Sequence, residues 1–396
     1  MFFLLIITFC SNDTAPPSSK KEVQETNGKK KTLPGSYQIS NYIDELKGKK
    51  CAIVANQSSV INNTHLIDTL LSKNINIKKV FAPEHGFRGT VDAGEKIKDK
   101  KDNKTGLRIH SLYGKNKKPT KEELQGIEII VYDIQDVGVR CYTYLSTLHY
   151  IMKAAIKNEI KLILMDRPNP NINYIDGPVL DTNFRSFVGM HPVPLVYGMT
   201  IGEYAKMINE EKWHGAEKKC DLKVIPCNNY TRNTNYTTPV NPSPNLPNLR
   251  SILLYPSLVL FEGTSVNVGR GTEHQFQFIG HPKYPKKDFS YTPISQSGAK
   301  NPKHLGDTCY GINLTYLNTN KLFNRKKINL KWLKKFYHAL GEKNKFFKEN
   351  FFDKLAGNNR LRNAIKKGFK NNQLLNIKVV PHHFSFIFSN FSPSIV

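Results

Sequence analysis

The chain has 396 residues, 39% of them hydrophobic and 23% charged, which are ordinary fractions for a soluble globular protein long enough to form two domains. Its formal net charge of +26 is not ordinary and raises the question of an anionic partner. The lysines, however, are scattered through tails and helix faces beside Asn and Ile. No RNP-like aromatic motif, paired-Cys finger or recognition-helix pattern accompanies them, so a dedicated nucleic-acid-binding protein is set aside.

The chain opens with the apolar run MFFLLIITF, followed by Cys10 and the polar residues Ser11, Asn12 and Asp13. The run is too short to span a membrane and has the character of an export signal. A Cys at that point resembles a lipoprotein cleavage site, which implies an exported, periplasmic or membrane-anchored protein with a lipid anchor at Cys10. Without a functional signal the protein is expected in the cytoplasm. Apart from Cys10, the cysteines are Cys51, Cys141, Cys220, Cys227 and Cys309. Their odd number and irregular spacing do not describe a disulfide framework.

Residues 1–34 comprise this start and a Lys-, Ser- and Pro-rich tether. From Tyr37, Ile39, Tyr42, Ile43 and Leu46 recur at helical spacing until Gly48. An alternation of strand and helix then begins. Strands are predicted at Cys51–Val54, Ile77–Phe81, Leu107–Leu112, Ile129–Tyr132 and Leu162–Met165. Helices are predicted at Leu66–Leu71, at Lys121–Leu124 and from Tyr144 to Asn158. This pattern predicts a Rossmann-like parallel sheet with helices on both faces over residues 35–185. Right-handed crossovers place the strand exits along one edge of such a sheet. Those exits carry Asn56-Gln57, Glu84-His85-Arg88, Asp133-Gln135-Asp136-Arg140 and Asp166-Arg167-Asn169. They are therefore expected to converge on one cleft. Neither G-x-G-x-x-G after the first strand nor G-x-x-x-x-G-K-[ST] is present, so a nucleotide cofactor is not expected. No zinc-helix His pair suggests a metal.

After Asp176-Gly177-Pro178 the texture changes. Thr200–Trp213 reads as a capped helix, Asp221–Pro226 as a strand and Lys331–Phe347 as an amphipathic helix. The stretch Asn241–Pro247 is too rich in Pro for a helix or a central strand. Residues 186–378 are expected to form a second, smaller α+β domain closing the cleft, with 379–396 as an atypical tail.

Several stretches together resemble a bacterial family formerly known only as a domain of unknown function, which contains the exo-β-N-acetylmuramidases (NamZ). They are PEHGFRG at 83–89, SLYG at 111–114, YDIQDVGVRCYTY at 132–144, DRPNP at 166–170 and DGPVLD at 176–181. SFVGMHPVPLVYGMTIGEYA at 186–205, SPN at 243–245, FEGTSVNVGRGT at 261–272 and FDKLAG at 352–357 complete the set. The similarity runs from about Tyr37 to Lys367. Cys141 stands where the family usually has an aromatic residue. Val379 to Val396 lacks the Trp-containing helix and basic end of the family, consistent with loss of the last helix or a shifted reading frame. The resemblance implies removal of N-acetylmuramic acid from the non-reducing ends of peptidoglycan fragments, with no cofactor.

Glycoside hydrolysis usually needs two carboxyl groups flanking the scissile bond. Glu84, Asp136 and Glu262 lie in Gly-rich loops and are the candidates. Glu84 is the preferred acid, since burial beside Phe87 would raise its pKa while Arg88 pulls the other way. The bland alternatives are ion pairs, Glu84 with Arg88 and Asp136 with Arg140. A lactyl carboxylate suits an arginine fork: Arg140 is the first candidate, with Arg88 and Arg270 behind it. Tyr142 is a candidate to stack on the sugar or donate to it, His85 to bind a hydroxyl or shuttle a proton, and Gln135 to bind the substrate. Asn169 and Asn245 are candidates to read the acetamido group. The rival readings are a non-catalytic sugar-binding lipoprotein using the same cleft and an anion- or nucleic-acid-binding module using the net charge, which no motif supports.

Overall fold

The computed structural model describes residues 30–84, 86, 87, 100–114, 116–341 and 345–368. Cys10, most of the tether, His85, Arg88 and the tail at 379–396 lie outside the described residues.

In chain order the elements are α1 (Ile43–Leu46), β1 (Lys50–Ala55), β2 (Val60–Ile61), β3 (Thr64–His65), α2 (Leu66–Ser72), β4 (Asn76–Ala82), β5 (Lys100–Lys101), β6 (Arg108–Ser111) and β7 (Ile129–Asp133). There follow α3 (Tyr144–Lys157), β8 (Lys161–Met165), α4 (Ile201–Glu210), β9 (Leu222–Ile225) and α5 (Leu249–Leu258). The remainder is β10 (Phe278–His281), β11 (Ser290–Tyr291), β12 (Cys309–Asn313), α6 (Thr319–Asn324), α7 (Lys331–Leu340), α8 (Glu349–Ala356) and α9 (Arg360–Lys366).

Seven strands form one sheet in the order β5-β6-β4-β1-β7-β8-β9. Six of them run parallel, and β5 pairs antiparallel with β6 at the edge. The expected alternation is present because the central strands β1, β7 and β8 are apolar on both faces. Side chains alternate across a strand, so Ala52, Val54, Ile130, Tyr132, Leu162 and Leu164 pack into one core. Their neighbours Cys51, Ile53, Ile129, Val131, Ile163 and Met165 pack into a second core on the other face. β10, β12 and β11 make a smaller antiparallel sheet. The protein is therefore α/β, with a smaller antiparallel-sheet unit following the main sheet.

Local chemistry accounts for most boundaries. Thr200 caps α4 through a reciprocal capping box with Glu203. Residues 121–124 form turns instead of the expected helix; four residues are too few to offset helix nucleation without packing. α7 stops at Leu340, where Gly341 takes a positive φ of 61°, so the helix is shorter than the apolar pattern suggested. Among the described residues no helix is long and apolar enough to cross a membrane, and the five described cysteines are free thiols.

Candidate active site

The strand exits do converge, but much of that polar cluster is packed solid. Asp133, at the end of β7, is fully buried and takes a bidentate ion pair from Arg167 beyond β8, with N–O distances of 2.5 and 2.7 Å. Asp166 accepts from the Gly202 backbone N–H at the start of α4; burial pushes its carboxyl up to about 7. Gln135 donates to the carbonyls of Asp136 and Pro168. Asn169 donates to the Met199 carbonyl and accepts from the Asn171 N–H.

Two further expectations need correction. Asp136 does not pair with Arg140. Its carboxylate accepts from the Tyr197 hydroxyl and the Gly138 N–H, and burial raises it to about 6 in spite of those donors. Arg140 is not turned to a ligand either. Its guanidinium donates to the carbonyls of Pro178, Val193 and Leu355 at 2.7–3.0 Å, tying the β7 exit to α8. The packing is so close that a Cβ at Gly357, whose φ is +87°, would lie 2.6 Å from the guanidinium. Gln135, Asp136, Arg140 and Asn169 are all interior groups absent from the cavity wall. The physical reason is shared: an irregular segment buried behind a sheet has backbone groups that need partners, and these side chains supply them.

The open space lies beside that cluster. A cavity of about 530 Å³ is lined by Glu84, Tyr113, Cys141, Tyr142, Thr143, Asn245, Tyr255, Glu262, Arg270, Phe276 and Phe351, among others. A second arm of about 630 Å³ shares Glu84, Tyr113, Glu262, Arg270 and Phe351, and adds Lys303 and Lys348.

Glu84 follows β4 and is half-buried; its Oε2 accepts from the Thr143 hydroxyl at 2.7 Å. Tyr142 donates to the Pro242 carbonyl at 2.8 Å, and Tyr144 reaches the same carbonyl at 3.3 Å. The two phenols hold the Pro-rich segment against the strand exits and so bring Asn245 to the cavity. Asn245 Nδ2 donates to the Gly298 carbonyl at 2.8 Å. A carbonyl can only accept, so this bond fixes the amide and leaves Oδ1 as an acceptor; it is buried with no partner among the described residues.

Glu262 is held differently. Arg270 Nε donates to its Oε1 at 3.1 Å, and the guanidinium stacks 5.3 Å over the Phe276 ring. Burial pushes the Glu262 carboxyl up, but Arg270, Lys303 and Lys348 together outweigh it and hold the group below the usual carboxylate range. The Gly-Arg-Gly turn that presents Arg270 requires both glycines. Gly269 and Gly271 have φ of +76° and +80°, and a Cβ at Gly271 would lie 2.7 Å from the Ile294 carbonyl.

Lys303 completes the arrangement. Its ammonium donates to the carbonyls of Phe261, Glu262 and Val266 at 2.8–3.1 Å, using all three of its N–H groups to clasp the loop that carries Glu262. Burial lowers its pKa to about 8 against the pull of Glu262. Nothing in its local sequence separates Lys303 from the other lysines, so it was not foreseen. Thr143 and Phe351 were likewise missed, although Thr143 lies within the motif at 132–144.

Of the sequence-derived candidates, the cavity thus collects Glu84, Tyr142, Asn245, Glu262 and Arg270. The family comparison points the same way. Residues 51–250 match the model described as exo-β-N-acetylmuramidase NamZ, N-terminal, and residues 253–378 match its C-terminal counterpart. The chain belongs to the NamZ family. It is 36% identical over 393 residues to the peptidoglycan β-N-acetylmuramidase NamZ of Bacillus subtilis (strain 168), covering 94% of each chain. Among solved structures it resembles two DUF1343 family proteins of Bacteroides fragilis NCTC 9343. One is 40% identical with a TM-score of 0.82, covering 91% of this chain and 98% of the other. The second is 26% identical with a TM-score of 0.76, covering 92% and 98%.

Proposed function

We propose that this protein is a glycoside hydrolase that releases N-acetylmuramic acid from the non-reducing ends of peptidoglycan fragments. The observation that carries the reading is a cavity with two carboxyl groups in unlike settings, in a chain that aligns over 94% of its length with a β-N-acetylmuramidase. Glu84 is the acid: it transfers its proton to the glycosidic oxygen as the C–O bond breaks, and the Thr143 hydroxyl orients its carboxyl. Glu262, kept ionised by its three cations, supplies the negative charge that an oxocarbenium-like transition state requires. Arg270 is the cationic partner for the lactyl carboxylate; among the described residues it is the one arginine of the three candidates on the cavity wall. Asn245, on the cavity wall with an Oδ1 that has no partner among the described residues, is the group to read the acetamido N–H.

A defined oligosaccharide with N-acetylmuramic acid at its non-reducing end tests the reading. The expected product is that single sugar together with a chain one residue shorter. Internal cleavage, or tight binding with no release, would refute it.

Lys303 sets the expected alkaline limb. Its folded-state value of about 8 lies below the ordinary 10.5, so the folded protein sheds this proton first. Rising pH then removes a cation beside Glu262 and loosens the loop clasp. The unfolded chain binds more protons between those two values, so this group's contribution to stability rises over the same window. We expect kcat/KM to decline above about pH 8 without any loss of stability from this group. Lys303→Met should lower kcat/KM roughly tenfold, the scale of one lost interaction with a charged group, and should lose that limb. A pH profile of unchanged shape in Lys303→Met would exclude the assignment.

A further inference from the structure

A separate basic groove adjoins the active-site cavity. It has a volume of about 680 Å³ and is lined by Lys117, Lys118 and Lys121 from the segment after β6 and by Lys153 and Lys157 from α3. Tyr150 forms part of its wall, and no Asp or Glu is found among its described lining residues. Lys153 and Lys157 are four residues apart on one helix, a spacing that sets like charges side by side. Five ammonium groups around one concave surface, without a carboxylate, focus a positive potential there.

Two observations connect this groove with the cavity. Lys117 lines both spaces. Its ammonium also sits 4.9 Å from the centre of the Phe187 ring, and Phe187 is itself on the cavity wall. Phe187 stacks on Tyr150, with ring centres 6.3 Å apart and planes 20° from parallel, and meets Tyr113 edge-on. A series of touching aromatic rings therefore runs from the cavity wall, at Tyr113 and Phe187, to the groove wall at Tyr150, where the lysines lie.

We propose that this groove is the leaving-group side of the active site, and that it binds the carboxylate-bearing glycan that remains after the terminal sugar is removed. The inference rests on the hydrolase reading above and adds where the rest of the substrate runs. Sugar faces pack on aromatic rings, and a glycan with a carboxylate on every second sugar carries its charge at intervals. An apolar track followed by dispersed ammonium groups matches both properties. A polymer of phosphodiesters would be attracted by the charge but would make no use of the rings.

The test uses the full chain with Lys118, Lys121, Lys153 and Lys157 all changed to Gln. All four are exposed and none lines the cavity; thermal melting of the variant checks its fold. Two substrates are compared: an aryl N-acetylmuramide, which has no glycan on the leaving side, and an oligosaccharide of several disaccharides. We expect KM for the oligosaccharide to rise about tenfold at low salt, with kcat and the aryl-glycoside kinetics unchanged. The difference from the unaltered protein should shrink as salt screens the lysines, and Lys→Arg replacement at the same four positions should restore the low KM. Equal KM values in variant and unaltered protein, or equal changes on both substrates, would overturn the proposal. So would competition by polyglycerol phosphate that depends on the lysines while the oligosaccharide KM does not. If the unaltered protein fails to cleave the aryl glycoside and the oligosaccharide alike, the hydrolase reading itself fails, and this proposal with it.

Discussion

Replacing Glu84 by Gln is expected to lower kcat on a natural oligosaccharide by about 10³-fold, the scale of a lost general acid. Gln keeps the size of the side chain, and its amide oxygen can still accept from the Thr143 hydroxyl that bonds to Glu84 Oε2. The fold and the substrate KM should therefore change little. What Gln cannot do is deliver a proton to the glycosidic oxygen. The loss should consequently depend on the leaving group: a sugar alkoxide needs that proton, whereas a dinitrophenolate leaves without it. We expect the variant to retain most of the unaltered rate on a dinitrophenyl N-acetylmuramide and very little on the oligosaccharide. Glu262→Gln should behave differently. Its charge serves the sugar ring rather than the departing oxygen, so both substrates should slow together. Equal losses on both substrates in Glu84→Gln would remove it from the acid role.

The α/β alternation was legible because the central strands β1, β7 and β8 are buried on two faces and so read as apolar runs, while β4 keeps enough buried apolar residues around Lys78 and Lys79 to stand out. Cys51–Val54, Ile77–Phe81 and Leu162–Met165 all fall within strands β1, β4 and β8. The candidate site was harder to read, and for one reason. A polar residue after a buried strand has two possible uses, to meet a ligand or to satisfy nearby backbone, and both leave the same trace in the sequence. Glu84 and Tyr142 stand on the cavity wall, whereas Gln135 and Arg140 are turned to carbonyls. Lys303 illustrates the opposite failure. Its importance comes from three carbonyls some forty residues away in the chain, and no local pattern reports such a meeting. The cavity itself depends on the Pro-rich segment being drawn in by the Tyr142 and Tyr144 hydroxyls at Pro242, a contact spanning about a hundred residues.

Asp133→Ala should destabilise the protein by roughly 3–5 kcal/mol, the cost of leaving one partner of a buried ion pair alone. Asp133 and Arg167 have side chains 0% and 1% exposed, and they join the ends of the neighbouring strands β7 and β8. Burial disfavours the Arg167 charge, and Asp133 more than offsets that, so the guanidinium is held above its ordinary pKa. Without Asp133, the Arg167 groups nearest at hand are Ser36 Oγ and the Val60 carbonyl, both at 3.4 Å, neither of which carries charge. The expected consequence is a fall in melting temperature of roughly 5 °C, with activity lost in proportion to the unfolded fraction. Arg167→Met combined with Asp133→Ala separates this account from simple cavity formation. The double variant contains no unpaired charge, so it should melt above Asp133→Ala alone although it carries one more substitution. If the second change lowers the melting temperature further, the damage in Asp133→Ala comes from lost packing and not from a stranded guanidinium.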